Sequence, residues 1–155
     1  MKRANIVIKP SLGVAVCNDI KFSLLKELLS DVAPLYPTFN SWINFTFRRN
    51  LPSGERQILI ANDGDQIIGT ALLKKTQQES KICTFYVVPS HRNQTVGDQL
   101  MDLALSTLDS SDTLITVPDE RNERLSPFLI SKGFSLSHSI SNLYRKESTE
   151  HFYRL

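Results

Sequence analysis

The chain has 155 residues, enough for one domain with a sizeable core, and its 41% hydrophobic and 22% charged residues exclude a disordered or low-complexity protein. A formal net charge of +2 makes no case for nucleic acid or a membrane surface, although it suits an anionic ligand. Cys17 and Cys83 have no metal-ligand spacing and form no disulfide framework, so they read as buried thiols in a reducing compartment. No apolar run approaches the length of a bilayer span, and Ile6-Val7-Ile8 is cut by Lys9 and Pro10 before it reaches the length of a signal-peptide core. The expectation is a cytoplasmic protein, residues 1–155 forming a single domain, with no metal.

In chain order, Ile6 to Lys9 and Val14 to Cys17 read as short β pieces around a turn at Pro10-Ser11-Leu12-Gly13. Asp19 is placed to cap a helix carrying Phe22, Leu25, Leu28, Leu29 and Val32 at helical spacing and ending before Pro34. A second helix is expected from Thr38 to about Arg49, with Phe39, Trp42, Ile43 and Phe47. Gln57 to Ala61 and Gln66 to Leu73 flank Asn62-Asp63-Gly64-Asp65, and Asp-Gly between β-rich runs signals a tight hairpin. Lys81 to Val88 adds a third strand of the meander. Beyond Gly97, Leu100, Met101, Leu103, Ala104, Leu105 and Leu108 form an amphipathic helix, and Leu114 to Val117 reads as a buried strand. Ser126-Pro127 looks like an N-cap and first helical residue, with Gly133 just past the helix end. Phe134 to Leu136 and Ile140 to Arg145 close the chain as a β pair. The order is β-α-α-β-β-β-α-β-α-β-β, and the single-helix crossover from Val88 to Leu114 makes that strand pair parallel.

The most informative segment is Val87-Val88-Pro89-Ser90-His91-Arg92-Asn93-Gln94-Thr95-Val96-Gly97. A strand stops at a proline, a polar loop with a basic residue follows, and a glycine opens a helix. Backbone amides at a helix start lack intrahelical partners and lie at the positive end of the dipole, which makes such a loop a ready phosphate site. The segment resembles the acyl-CoA loop of the GNAT acetyltransferases, where strand four leads into R/Q-x-x-G-x-G/A. Arg92 and Gly97 match that motif, and Thr95 stands where the first glycine is usual. Asn122, twelve residues before the phenylalanine of Lys132-Gly133-Phe134, matches a second family pattern, and the element order is similar from end to end. The resemblance implies an α/β (α+β) fold, a mixed central sheet of about six or seven strands flanked by about four helices.

What the resemblance implies for function is an N-acetyltransferase that moves an acetyl group from acetyl-CoA to a primary amine by direct attack. Its cofactor residues would be Val87 and Val88, whose backbone pairs with the pantetheine arm at a splay between strands four and five, with Val87 N–H as oxyanion donor. Arg92, Asn93, Gln94, Thr95, Val96, Gly97, Asp98 and Asn122 complete that set. Two departures stand out. A positive φ would be costly for Thr95, and Asp98 sets a negative charge beside a diphosphate. Lys81 occupies the position of a strand-four glutamate base and Leu129 that of a tyrosine acid, so neither familiar proton-handling group is present and no dependence on a single carboxylate is expected. Tyr86, Cys83 and Tyr144 remain as catalytic candidates. Trp42, Phe45 and Arg48 are candidates for the acceptor side. The acceptor would be a small-molecule or peptide amine, and a homodimer stays open. Two other readings stand beside it: an acyl-CoA-binding regulator without catalysis, and a toxin-type acetyltransferase acting on aminoacyl-tRNA, the one reading that brings in nucleic acid.

Overall fold

A computed structural model describes residues 12–92 and 95–155, so the expected strand at Ile6 to Lys9, Pro10 and Ser11 of the first turn, and the loop residues Asn93 and Gln94 lie outside the described residues. Seven strands form one sheet in the order β1-β2-β3-β4-β5-β7-β6: β1 (Leu12–Val16), β2 (Arg56–Asp63), β3 (Gln66–Lys75), β4 (Ser80–Val87), β5 (Thr113–Pro118), β6 (Ser135–Ser141) and β7 (Thr149–Arg154). All neighbours are antiparallel except β4 and β5, which the crossover helix α3 (Val96–Leu108) makes parallel. One face packs against α3 and α4 (Asp119–Ser131), around Leu100, Met101, Leu125 and Phe134. The other is covered by α1 (Phe22–Leu28) and α2 (Phe39–Ser41), around Leu25, Ile43, Phe47 and Tyr86. The element order is the one expected, and Gly64, at φ 60°, makes the β2–β3 turn.

Four local expectations are corrected. Leu12 and Gly13 belong to β1 rather than to a turn. Asp19 caps nothing; α1 starts beyond Lys21 without a side-chain cap, and the Asp19 carboxylate accepts from Cys17 Sγ. Helix α4 begins at Asp119, so Pro127 lies inside it rather than at its first position. Asp119 and Glu120 at its start complement the dipole, and burial of Leu125 and Leu129 offsets the bond lost at the exposed proline. The C-terminal pair is also shifted. β6 runs through Ser141, Asn142 and Glu147 take positive φ in the turn, and Thr149–Arg154 returns as β7 between β5 and β6. The expected strand ending at Arg145 therefore does not form, because residues 142–148 make that turn.

Two features of this scaffold place the site. β3 and β4 slip register between Leu73↔Ile82 and Leu72↔Thr84, which leaves Cys83 unopposed as a bulge. β4 and β5 pair only through Ser80↔Thr113, Lys81↔Leu114 and Ile82↔Ile115, so they part at that same bulge. Below it, α4 ends in a Schellman turn: Phe134 N–H donates to the Leu129 carbonyl and Gly133 N–H to that of Ile130, both at 3.0 Å, with Gly133 at φ 99°. An added Cβ at Gly133 would meet only Leu155 Cδ2 at 3.5 Å, so its cost is conformational. Gly133→Ala should lower stability by about 1 kcal/mol and the melting temperature by about 2–4 °C, checked by calorimetry.

Candidate active site

The gap between β4 and β5 runs through the sheet. Peptide groups of a strand point alternately to its two neighbours. Val88 N–H donates to the Ile68 carbonyl on β3 at 2.8 Å, so Phe85 and Val87 turn their peptide groups toward the gap. This corrects the expectation for Val88, whose amide is committed to β3. The two carbonyls facing the gap are capped by arginines: Arg92 Nε donates to Val87 O at 2.8 Å and Arg121 to Phe85 O at 2.6 Å.

On the α3/α4 face the gap opens into a cleft of about 220 Å³ lined by Phe85, Val87, Arg92, Gly97, Arg121 and Arg124 among others. Burial first, then the Arg124 and Arg92 charges, pushes the Arg121 guanidinium down to about 10. A diphosphate there would relieve that mutual repulsion. Val96, Gly97 and Asp98 open α3 and among the described residues their amides have no intrahelical acceptor, while Gln99 N–H already reaches Thr95 O. Thr95 sits at φ −77°, so the anticipated strain does not arise. The Asp98 charge is met by Lys132 at 2.9 Å. An added Cβ at Gly97 would meet only Phe128, at 3.8 Å, so the position tolerates a side chain and a longer one would extend into the cleft. His91, bonded to Asp63 at 2.9 Å, ties the loop to the β2–β3 hairpin. Asn122 does not line the cleft. Arg121, Arg124, Leu125 and Phe128, at helical spacing, face it, whereas Asn122 turns to accept from Tyr153 Oη at 2.6 Å.

The opposite face carries a second pocket of about 220 Å³, bounded by Tyr36, Trp42, Arg56, Lys81, Thr116 and Tyr144 among others. A narrow cavity lined by Tyr36, Cys83, Thr84, Phe85, Thr116 and Arg121 lies between the two, sharing residues with each. Of the three residues expected on the acceptor side, only Trp42 lines this pocket. Residues Trp42–Phe47 wind as a π-helix, Phe45 points to solvent at 63% exposure, and the Arg48 guanidinium lies 4.6 Å over the Phe22 ring. Tyr144 is present at the rim, edge-to-face with Tyr36 at 5.4 Å. Tyr86 and Cys83 are poorly placed for catalysis: Tyr86 Oη is committed to Asp31 at 2.8 Å, and burial pushes the Cys83 thiol up, keeping it protonated. Leu129 is in the core and Lys81 is on the pocket wall.

The structure adds a carboxylate that the sequence reading did not offer. Glu150, 4% exposed on β7, accepts from Tyr36 Oη at 2.8 Å and from Thr116 Oγ1 at 3.0 Å, both on the same oxygen, Oε2. Among the described residues its Oε1 has no hydrogen-bond partner. Burial raises the Glu150 pKa despite the two donors and the nearby Lys81 and His151 charges, and burial with the Glu150 charge raises that of Tyr36. Glu150 lies behind Tyr36 and Thr116, which line the narrow cavity, and comes from a strand that was not anticipated. Glu150 and the arginines of α4 went unseen because both hung on misplaced boundaries. Had α4 been started at Asp119, the spacing Arg121, Arg124, Leu125, Phe128 would have marked its cleft face.

A model of the GNAT acetyltransferase domain matches residues 28–142. The chain belongs to the GNAT acetyltransferase family. No curated protein matches the chain in sequence. Among solved structures, Arabidopsis thaliana Naa50 in complex with a bisubstrate analogue, CoA-Ac-MVNAL, is 18% identical, covers 94% of this chain and 99% of its own, and superposes with a TM-score of 0.74. A GNAT acetyltransferase from Elizabethkingia anophelis with acetyl-CoA bound is 15% identical over 95% and 99%, TM-score 0.68. A GNAT-family protein from Desulfovibrio desulfuricans is 14% identical over 93% and 98%, TM-score 0.73. At these identities the likeness is one of fold, and it spans the whole GNAT sheet. Among the described residues no helix is long and apolar enough to cross a membrane.

An acid whose folded pKa is raised contributes stability that is complete below its unfolded pKa and is lost as pH rises through the folded one. Glu150 therefore opposes folding above the ordinary carboxylate range. Glu150→Gln should melt no lower than the parent at pH 7 to 8, with any gain shrinking as pH falls toward 4, read as melting temperature against pH.

Proposed function

We propose that this GNAT protein transfers an acetyl group from acetyl-CoA to a primary amine, with donor and acceptor meeting in the gap between β4 and β5. The observation that carries the reading is the pair of pockets on opposite faces of the sheet, joined at the gap, one arginine-rich and one lined by hydroxyls and aromatic rings. The residues present fit CoA: Arg92, Arg121 and Arg124 with the first amides of α3 would hold its phosphates, and Val87 N–H faces the gap. When bound, acetyl-CoA would supply the thioester: the amine nitrogen bonds to its carbonyl carbon, the C–S bond breaks, and CoA leaves as the thiol with the proton the nitrogen gave up.

The chain's own groups would then act as follows. Val87 N–H is the donor for negative charge developing on the carbonyl oxygen. To free the Val87 carbonyl for the pantetheine arm, Arg92 gives up its bond to it and turns toward phosphate. Tyr36 Oη accepts the proton of the acceptor nitrogen while its own proton passes to Glu150 Oε2, a transfer the buried carboxylate favours. Lys81 and His151 near Glu150, and Arg121 and Tyr144 near Tyr36, are the other charged and titratable groups around this pair. Thr116 orients Glu150. A regulator without catalysis would have no use for such a pair, which favours the enzyme over that alternative.

CoA at one hundred times its dissociation constant should stabilise the protein by about 2.7 kcal/mol, visible as a thermal shift. Gly97→Glu should abolish the shift while leaving a cooperative transition, and Arg92→Ala should only weaken it, because Arg121, Arg124 and backbone amides remain. An unshifted transition at millimolar CoA would remove the cofactor assignment.

Glu150→Gln and Tyr36→Phe should each lower kcat by about 10²-fold or more, and the double variant little further, since they act as one relay. With two amines of different pKa, the parent should show an enzymic inflection at the same pH for both, and the Glu150→Gln profile should instead follow each amine. Profiles that track the amine already in the parent would remove the pair from the mechanism.

A further inference from the structure

We infer that the acceptor is a small amine that also carries a carboxylate, bound with its carboxylate on Arg56 and Lys81 and its amine toward Tyr36. The inference rests on the proposed reaction and names its substrate class. The pocket on the α1/α2 face is electrostatically one-sided. Three cations, Arg56, Lys74 and Lys81, share its wall with one carboxylate, Glu79. Glu79 is taken by Lys74 at 2.8 Å, which leaves Arg56 and Lys81 with no ion pair among the described residues. Arg56 is only 7% exposed. Its guanidinium lies 5.8 Å from the Trp42 ring and 5.7 Å from that of Phe47, and among the described residues its one side-chain hydrogen bond is a weak one to Cys83 Sγ at 3.4 Å.

Among the described residues the Arg56 guanidinium has no carboxylate partner and no donor sealed from solvent without a partner, so donors are open to the pocket, and its planar fork suits a carboxylate. The wall already shows the effect on an acid. Glu79 is held below the usual carboxylate range, first by its hydrogen bond from Lys74 and then by the Lys74, Lys81 and Arg56 charges. A second carboxylate arriving near Arg56 and Lys81 would meet the same attraction. The anionic groups of CoA do not need these residues, since Arg92, Arg121 and Arg124 lie on the other face of the sheet.

Geometry sets the other end. The same pocket is bounded by Tyr36, Thr116 and Tyr144, and Tyr36 leads through its hydroxyl to Glu150. A ligand in the pocket thus meets both Tyr36, backed by Glu150, and two cations without an ion pair among the described residues, Arg56 and Lys81, the latter close enough for its charge to act on Glu150. At about 220 Å³ the space is smaller than the roughly 300–1,000 Å³ typical of drug-sized ligand sites, which favours a small metabolite.

The test uses the full chain with acetyl-CoA and ω-amino acids of increasing length, each against its own carboxamide, so that charge changes while the amine is nearly preserved. Release of free CoA thiol gives kcat/KM, and saturation-transfer NMR on the CoA-loaded protein reports binding independently of turnover. A charge-assisted contact predicts that at least one amino acid beats its carboxamide about tenfold or more, in turnover or in binding. Arg56→Gln and the less buried Lys81→Gln should each narrow that ratio. Thiol release from carboxamides equal to or above that from the acids overturns this inference and leaves the acetyltransferase reading standing. If no amine is turned over, the acetyltransferase reading is what fails, and the NMR comparison still decides the anion subsite: equal binding of acid and carboxamide overturns it.

Discussion

One unopposed residue organises this molecule. Cys83 bulges from β4 at the register slip against β3, and the β4–β5 ladder ends one residue earlier at Ile82↔Ile115. A bulge increases local twist and bends its strand, so β4 swings away from a partner it could otherwise have followed to Val87. Peptide groups left without a strand must find other partners, because a buried carbonyl without a donor costs free energy. Arg92 and Arg121 supply them here. The gap is thus stable without ligand, and what fills it is a pair of side chains rather than a third strand. Side chains can exchange their acceptors for a ligand far more easily than a ladder can be broken.

Charge follows the same division. Each face of the sheet carries cations grouped near the gap, Arg92, Arg121 and Arg124 on one side and Arg56, Lys74 and Lys81 on the other. Yet the net charge of the whole chain is only +2. Acidic residues elsewhere balance these clusters, with Asp102 on Lys132 and Asp112 on Arg154, while Asp98, at the edge of the arginine cleft itself, is paired with Lys132. Composition alone therefore conceals two concentrated positive sites, because it averages over a distribution that the fold sorts by face.

How much of this could be read from residues depends on the range of the signal. The hairpin at Gly64, the helix after Gly97 and the turn at Gly133 are local: a special φ or an apolar period fixes each within a few residues, and all three are present. The parallel β4–β5 pair followed from a rule of connection, and the GNAT likeness followed from the loop and the order. What was illegible was non-local. Pro127 looked like a helix start because proline favours that position, but burial of Leu125 and Leu129 overrides the preference. β7 was missed because its polar residues, Thr149, Glu150 and His151, read as a tail until β5 is there to pair with them. The hydrogen bond from Tyr36 to Glu150 joins residues 114 apart in the chain, a separation no spacing rule can bridge.

In the proposed mechanism that pair stands in for the familiar base. A carboxylate works as a proton acceptor where burial raises its affinity for the proton and a hydrogen bond places it. Which strand delivers it is immaterial to the chemistry. In this sheet β7 lies between β5 and β6, so its Glu150 reaches Thr116 on the neighbouring strand and Tyr36 from the helical layer. Lys81, at the position of the familiar base, is then free to contribute positive charge to the acceptor pocket. Lys81 also stays close enough to Glu150 for its charge to oppose the effect of burial on that carboxyl, so the cation on β4 and the carboxylate on β7 act on one another across β5.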